Sequence, residues 1–194
     1  MELTVDGRKV YAATGGRPFD PAKPAVIFIH GAGQDHTNWQ LPARWFAWNG
    51  SAALAPDLPG HGRSDGPPLQ TIADMARWIG SLMDAAKLEK AALVGHSMGG
   101  GIAVEAAAAM PERITRIALL GTSLAMPVND VLLTAARDAP EQAHRMITAW
   151  SHGPSAKIGG NPAPGMWMWR PPVSRPARRS VAYRPTSNAA RPIT

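Results

Sequence analysis

The chain contains no cysteine, which excludes disulfides and thiolate metal sites. No run of about 18 apolar residues occurs, so no membrane-spanning helix is expected. The opening Met1-Glu2-Leu3-Thr4-Val5-Asp6-Gly7 has none of the apolar stretch of a signal peptide. A soluble, cytoplasmic protein is the expectation. Acidic residues are absent after Glu141 and histidines after His152. Of the 20 basic residues, Arg170, Arg175, Arg178, Arg179, Arg184 and Arg191 fall in the last 25 positions, so the net charge of +6 belongs to the tail. Residues 1–169 carry 14 basic and 14 acidic groups and are neutral. Only Tyr183 among aromatics follows Trp169, and no nucleic-acid-binding motif accompanies the arginines. Neither a nucleic-acid nor a membrane partner is expected. The sequence carries no signal for oligomeric state.

What is present suits one α/β domain or slightly less: 194 residues, 45% of them hydrophobic. Glu2–Val5 and Lys9–Ala13 read as strands joined by an Asp6-Gly7 hairpin turn. Ala25-Val26-Ile27-Phe28-Ile29 is a continuous apolar, β-branched run, the pattern of a strand covered on both faces. A helix is expected from Thr37, as N-cap, to Trp48, and the next strand over Ala52–Ala55. Thr71 and Asp74 make a capping-box start for a helix over Thr71–Ala86. Its apolar residues at spacings of three and four pack a core. Further elements are a strand over Lys90–Val94, a helix over Met98–Met110 stopped by Pro111, and a strand over Ile114–Leu120. Alternating strands and helices predict a mostly parallel sheet with helices on both faces. Beyond Pro127, Asn129–Trp150 reads as one helix or as two broken near Pro140. Residues 159–194, rich in Arg and Pro without hydrophobic periodicity, read as disordered.

The stretch that organises the chain is Ala91-Ala92-Leu93-Val94-Gly95-His96-Ser97-Met98-Gly99-Gly100. A buried-strand pattern meets Gly-x-Ser-x-Gly, and a helix-forming run follows, as a nucleophile elbow requires. Ser97 stands at a sharp turn, and Gly95 and Gly99 leave no side chain to obstruct it.

Three stretches, in this order, resemble the α/β-hydrolase superfamily in its esterase, lactonase and carbon–carbon-bond hydrolase branch. They are Phe28-Ile29-His30-Gly31-Ala32-Gly33, Asp57-Leu58-Pro59-Gly60-His61-Gly62-Arg63-Ser64 and Gly95-His96-Ser97-Met98-Gly99-Gly100. The resemblance implies an α/β-hydrolase fold and acyl transfer from an ester, lactone or similarly activated carbonyl of a small molecule. Ser97 would be the nucleophile, and the backbone N–H groups of Ala32 and Met98 would form the oxyanion hole. It implies no metal and no cofactor. By this resemblance residues 1–126 are the N-terminal part of the hydrolase core, 127–158 the start of a helical cap, and 159–194 the tail.

The remaining chemistry is assigned by position. His30 braces the loop that it opens; His96, next to Ser97 on an alternating strand, points away from the serine side. His61 is a turn residue, and Asp57 precedes the serine, against the superfamily order of nucleophile, acid, histidine. The chain departs from that order at its end: no strand, acid and histidine follow the cap-like region. Asp130 is the one candidate acid in a variant placement, against an N-cap role for Asn129-Asp130. The expectation is a chain truncated before the triad acid and histidine, with residues from about Arg170 foreign to the domain. The alternative function is an impaired or non-catalytic fragment of the same fold that binds a ligand or partner.

Overall fold

The computed structural model describes residues 1–123 and 125–150, and all structural statements concern these. The tail expected at 159–194, and the residues from 151 on, lie outside them. Two compact units divide after Met126.

The first unit is built on a six-stranded sheet. Its strands are β1 (Glu2–Val5), β2 (Arg8–Ala13), β3 (Ala25–Ile29), β4 (Ala52–Pro56), β5 (Ala91–His96) and β6 (Ile114–Leu120), in the order β1-β2-β4-β3-β5-β6. β1 and β2 form a hairpin closed by Asp6 (φ 49°) and Gly7 (φ 72°), with Val5 opposite Arg8. Two left-handed residues in succession are what a two-residue turn matching the strand twist needs. β2 joins β4 antiparallel, and the β4-β3, β3-β5 and β5-β6 pairs are all parallel.

The continuous apolar run of β3 is explained by cover on both faces. Ile27 and Ile29 pack with Met75, Ile79, Leu82 and Met83 of α2 (Ile72–Ala85) and with Ile102, Ala103 and Ala106 of α3 (Met98–Ala109). Val26 and Phe28 pack oppositely with Trp39 and with Ala43 and Ala47 of α1 (Gln40–Trp48). Successive residues of one strand thus feed two cores, and the sheet is the middle layer of three. The Thr71 hydroxyl accepts from the Asp74 N–H at 3.0 Å and donates to its carboxylate at 2.6 Å, so α2 starts at its box as expected.

One helix start differs from expectation. The cap is Asp35, not Thr37: the Asp35 carboxylate accepts from the N–H of Thr37 at 2.8 Å and opens a 3-10 turn over His36–Trp39. The α-helix begins afresh at Gln40 because Pro42 has no N–H to offer the carbonyl four residues back. Pro42 is tolerated in the first turn, where no such bond is required.

β6 ends the sheet. Among the described residues it pairs with β5 alone, and every residue after Ile114 is exposed; Ile117, Leu119 and Leu120 are 41%, 46% and 45% accessible. A long apolar edge with open backbone groups templates association. Ile117→Lys is therefore expected to raise the concentration at which light scattering detects self-association, without changing the fold. Scattering equal to that of the parent chain would count against the edge as the contact.

The second unit has two helices among the described residues, α4 (Asp130–Asp138) and α5 (Pro140–Trp150), which pack on one another. Asn129 is the cap of α4, accepting from the Leu132 N–H at 2.8 Å, and Asp130 is its first residue. The break falls where Pro140 can open α5 without losing a helical hydrogen bond. No described helix is long and apolar enough to cross a membrane.

Candidate active site

β5 turns into α3 through Ser97, whose backbone sits at φ 53°, ψ −119°. For a residue with a Cβ this region costs on the order of 1–3 kcal/mol, so the surroundings must hold it. The Ser97 N–H donates to the carbonyl of Leu120 at 2.9 Å, which pins the elbow to the end of β6. Its carbonyl accepts from the Gly100 N–H at 2.9 Å and the Thr122 hydroxyl at 3.1 Å. Glycine is obligatory around it for lack of room. A Cβ on Gly95 would strike the Gly99 carbonyl and lie 2.6 Å from the Gly100 Cα. One on Gly99 would strike the carbonyl of Ile29 and lie 2.8 Å from that of His30, and one on Gly100 would strike the Thr122 hydroxyl. α3 is thereby drawn down onto the ends of β3 and β6.

Met98, the first residue of α3, has a buried side chain. Its N–H belongs to the first turn, where helical geometry supplies no acceptor. Ala32 lies in the loop that leaves β3, between Gly31 and Gly33 (φ 68°). That loop abuts the elbow: a Cβ on Gly31 would lie 3.3 Å from the His96 carbonyl oxygen. Ser97, Met98 and Ala32 thus stand on two segments in backbone contact, at the carboxyl ends of adjacent parallel strands.

His30, His96 and His61 brace loops. His30 is fully buried; its Nδ1–H donates to the carbonyl of Gly31 at 2.8 Å, and its Nε2 accepts from the Leu58 N–H at 3.0 Å. One ring thus joins the loops after β3 and β4 and needs the neutral tautomer to do so. Burial, with nearby His61 second, lowers its pKa to about 4, in keeping with that form. His96 is half-buried, with Nδ1 3.1 Å from the side-chain oxygen of Gln34, and burial lowers its pKa. His61 holds its own turn, Nδ1 lying 3.0 Å from the Pro59 carbonyl.

Asp57 organises the loop after β4. One carboxylate oxygen accepts from the N–H of His36 at 2.7 Å and from its Nδ1–H at 2.8 Å; the other accepts from the Arg63 N–H at 2.8 Å. Burial acts to raise its pKa, but the bonds from the His36 ring and from these backbone groups prevail and hold it below the usual carboxylate value. Gly62 wraps so tightly that a Cβ there would collide with the carboxylate. The His36 ring stands edge-on to Tyr11 at 4.7 Å, with the Arg63 guanidinium 3.7 Å above that tyrosine. Asp35, His36 and Asp57 bring three ligand atoms within 4.8 Å of one another. One Asp57 oxygen accepts from the His36 N–H and Nδ1–H, and one Asp35 oxygen from the Thr37 N–H and hydroxyl, so these atoms are engaged in holding the local turns.

Sequence reasoning missed two residues, Gln34 and His36. Each is a polar residue a few places after the Gly31 turn, a weak signal that its distant partners, His96 and Asp57, make meaningful only in three dimensions.

A family model described as alpha/beta hydrolase fold matches residues 24–157. Over 119 residues the chain is 42% identical to the dihydrolipoyllysine-residue acetyltransferase component of the acetoin cleaving system of Cupriavidus necator, covering 60% of this chain and 30% of that one. Over 103 residues it is 39% identical to an epoxide hydrolase of Caballeronia sordidicola, covering 50% of this chain and 30% of that one. Among solved structures, the enol-lactonase from Burkholderia xenovorans LB400 superposes with a TM-score of 0.65 at 25% identity, over 78% of this chain and 58% of that one. A thermophilic esterase does so with a TM-score of 0.60 at 29% identity, over 77% and 54%. The chain spans 30–40% of the length of such curated relatives.

Proposed function

Since this chain belongs to the α/β-hydrolase fold family, matched by its residues 24–157, we propose that it carries the nucleophile and oxyanion hole of a serine hydrolase. The substrate class is a small ester, lactone or similarly activated carbonyl. The observation that carries the reading is the strained backbone of Ser97, φ 53°, held at the head of α3 beside the loop of Ala32. Strain of that kind, maintained by several bonds, is expected where the geometry is used.

In the proposed reaction Ser97 Oγ attacks the carbonyl carbon and loses its proton to a base. The oxyanion is held by the N–H groups of Ala32 and Met98, and its collapse expels the alcohol, which takes up a proton. The resulting acyl-serine is hydrolysed by water, which releases the acid and restores Ser97. Donors fixed in the backbone need no reorganisation as charge develops, and losing one such donor typically costs about 10²–10³ in turnover. Residues 127–158 are proposed as the start of a helical cap, by family resemblance.

A second reading is supported by the histidines. His30, His36 and His96 each hold a structural partner, and a serine without a base retains only about 10³–10⁴ of rate over water. On that reading the chain binds a ligand without turnover. A fluorophosphonate probe separates the two. Labelling is expected on Ser97, read by peptide mass spectrometry, and lost in Ser97→Ala. A chain that is folded by circular dichroism yet unlabelled, and stabilised by an ester ligand it does not cleave, would favour the second.

A further inference from the structure

Resting on the reading of Ser97 as nucleophile with Ala32 and Met98 as its donors, we propose that Gln34 is a positioning residue. Its side-chain oxygen ties the loop after β3 to the elbow and so sets the spacing of the two donors. Gln34 Oε1 accepts from the Gly31 N–H at 2.9 Å and lies 3.1 Å from His96 Nδ1. Gly31 is the neighbour of Ala32, and His96 is the neighbour of Ser97. A single oxygen thus holds the residue beside each half of the site, 62 positions apart in sequence for the His96 arm.

The arrangement is closed on every side. The Gln34 N–H returns to the Gly31 carbonyl at 3.3 Å, so backbone and side chain bind Gly31 reciprocally. A Cβ on Gly31 would lie 2.9 Å from that same Oε1 and 3.3 Å from His96 Nδ1, so the bridge closes only over glycine. The far edge of the imidazole faces Gly121, where a Cβ would lie 3.4 Å from Nε2. Gly121 follows Leu120, the acceptor for the Ser97 N–H. His96 is therefore clasped between the loops after β3 and β6, with Gln34 as the clasp on one side.

The chemistry fixes the proton. The Gly31 N–H can only donate, so the atom that it meets is the amide oxygen and not the amide nitrogen. An amide oxygen can only accept, so His96 must carry its proton on Nδ1. The other neutral tautomer would set two lone pairs against each other. Half-burial of His96 keeps the ring neutral, since it lowers the pKa. The bridge is thus a pair of donors converging on one acceptor, and removing the acceptor leaves both without a partner.

The test pairs kinetics with spectroscopy. In Gln34→Met, which keeps length but removes the acceptor, fluorophosphonate labelling of Ser97 is expected to slow about 10- to 100-fold at saturating probe. This is less than outright loss of a donor and in line with a misplacement of about 1 Å. The half-saturating probe concentration should change little, because a positioning defect acts on the reacting geometry. Independently of any activity, ¹⁵N–¹H long-range NMR of wild-type His96, assigned with His96→Gln, should show Nδ1 protonated and Nε2 bare at neutral pH. Gln34→Met should abolish that preference. Gln34→Glu, which restores an acceptor, should recover the Nδ1–H form. Unchanged labelling in a folded Gln34→Met, or an Nε2–H tautomer in the wild type, would overturn the proposal. Absence of labelling in the wild type would instead sink the reading of Ser97, with the tautomer still deciding the bridge.

Discussion

Gly99→Ala is expected to destabilise the protein by about 3 kcal/mol or more, whereas Gly101→Ala, two residues along the same helix, is expected to stabilise it by about 0.5–1 kcal/mol. Both positions lie in α3, where alanine is favoured over glycine in the absence of other forces. The surroundings decide the sign. At Gly99 the new methyl would run into the carbonyl of Ile29 and lie 2.8 Å from that of His30. Those oxygens belong to the fixed end of a central strand, so neither can retreat as a flexible side chain would. At Gly101 the nearest atom is the Ile72 Cδ1 at 3.8 Å, an ordinary contact. Urea unfolding of the two variants, with midpoints compared at constant slope, reads the difference. Shifts of equal sign would mean that the elbow and the end of β3 are less tightly apposed than described.

Acidification from pH 6.5 to 4 is expected to cost about 3 kcal/mol of stability through His30 alone. Its folded pKa is lowered to about 4 from an ordinary value of 6.5, first by burial and then by His61. Between those values the unfolded chain binds a proton that the native chain refuses. Stability is therefore complete above the unfolded pKa, falls with pH through the window, and is fully lost from this source below the folded pKa. Asp57 acts in the same sense at lower pH. Its carboxyl is held below its usual value, so its contribution is present above the unfolded carboxylate pKa and disappears as pH falls through the folded one. In His30→Asn the dependence between pH 6.5 and 4 should flatten, on a lower stability at pH 7 because the ring's packing is gone. Denaturant titrations at pH 7, 5.5 and 4 report both quantities. A variant that kept the parental slope would show that another group takes up the proton.

The elements were legible because local pattern and global role agree. The run Ala25–Ile29 reads as buried and is buried. Asp6-Gly7 reads as a hairpin turn and adopts the two positive φ angles that one requires. Where the sequence misled, a second local force intervened. Thr37 is an acceptable cap, but Asp35 reaches its N–H first, and Pro42 delays the α-helix proper to Gln40. β6 shows another limit. Ile114–Leu120 reads as a strand and is one, but periodicity cannot say whether a strand has one neighbour or two; among the described residues it pairs with β5 alone and is largely exposed. The Gly-x-Ser-x-Gly pattern located the sharp turn at Ser97, whose φ is 53°, because such a turn demands glycines at set spacings. The supporting bonds were not legible. Gln34 with His96, and His36 with Asp57, join residues 62 and 21 positions apart, and single side chains of that kind leave no periodic trace.

The imidazole of His30 has one consequence beyond its own bonds. By holding the Gly31 carbonyl with one nitrogen and the Leu58 N–H with the other, it makes the rims on either side of it a single rigid lip. Neither loop can shift without straining a bond to that ring, so a substitution that disturbs the Gly31 turn should be felt at Leu58 as well.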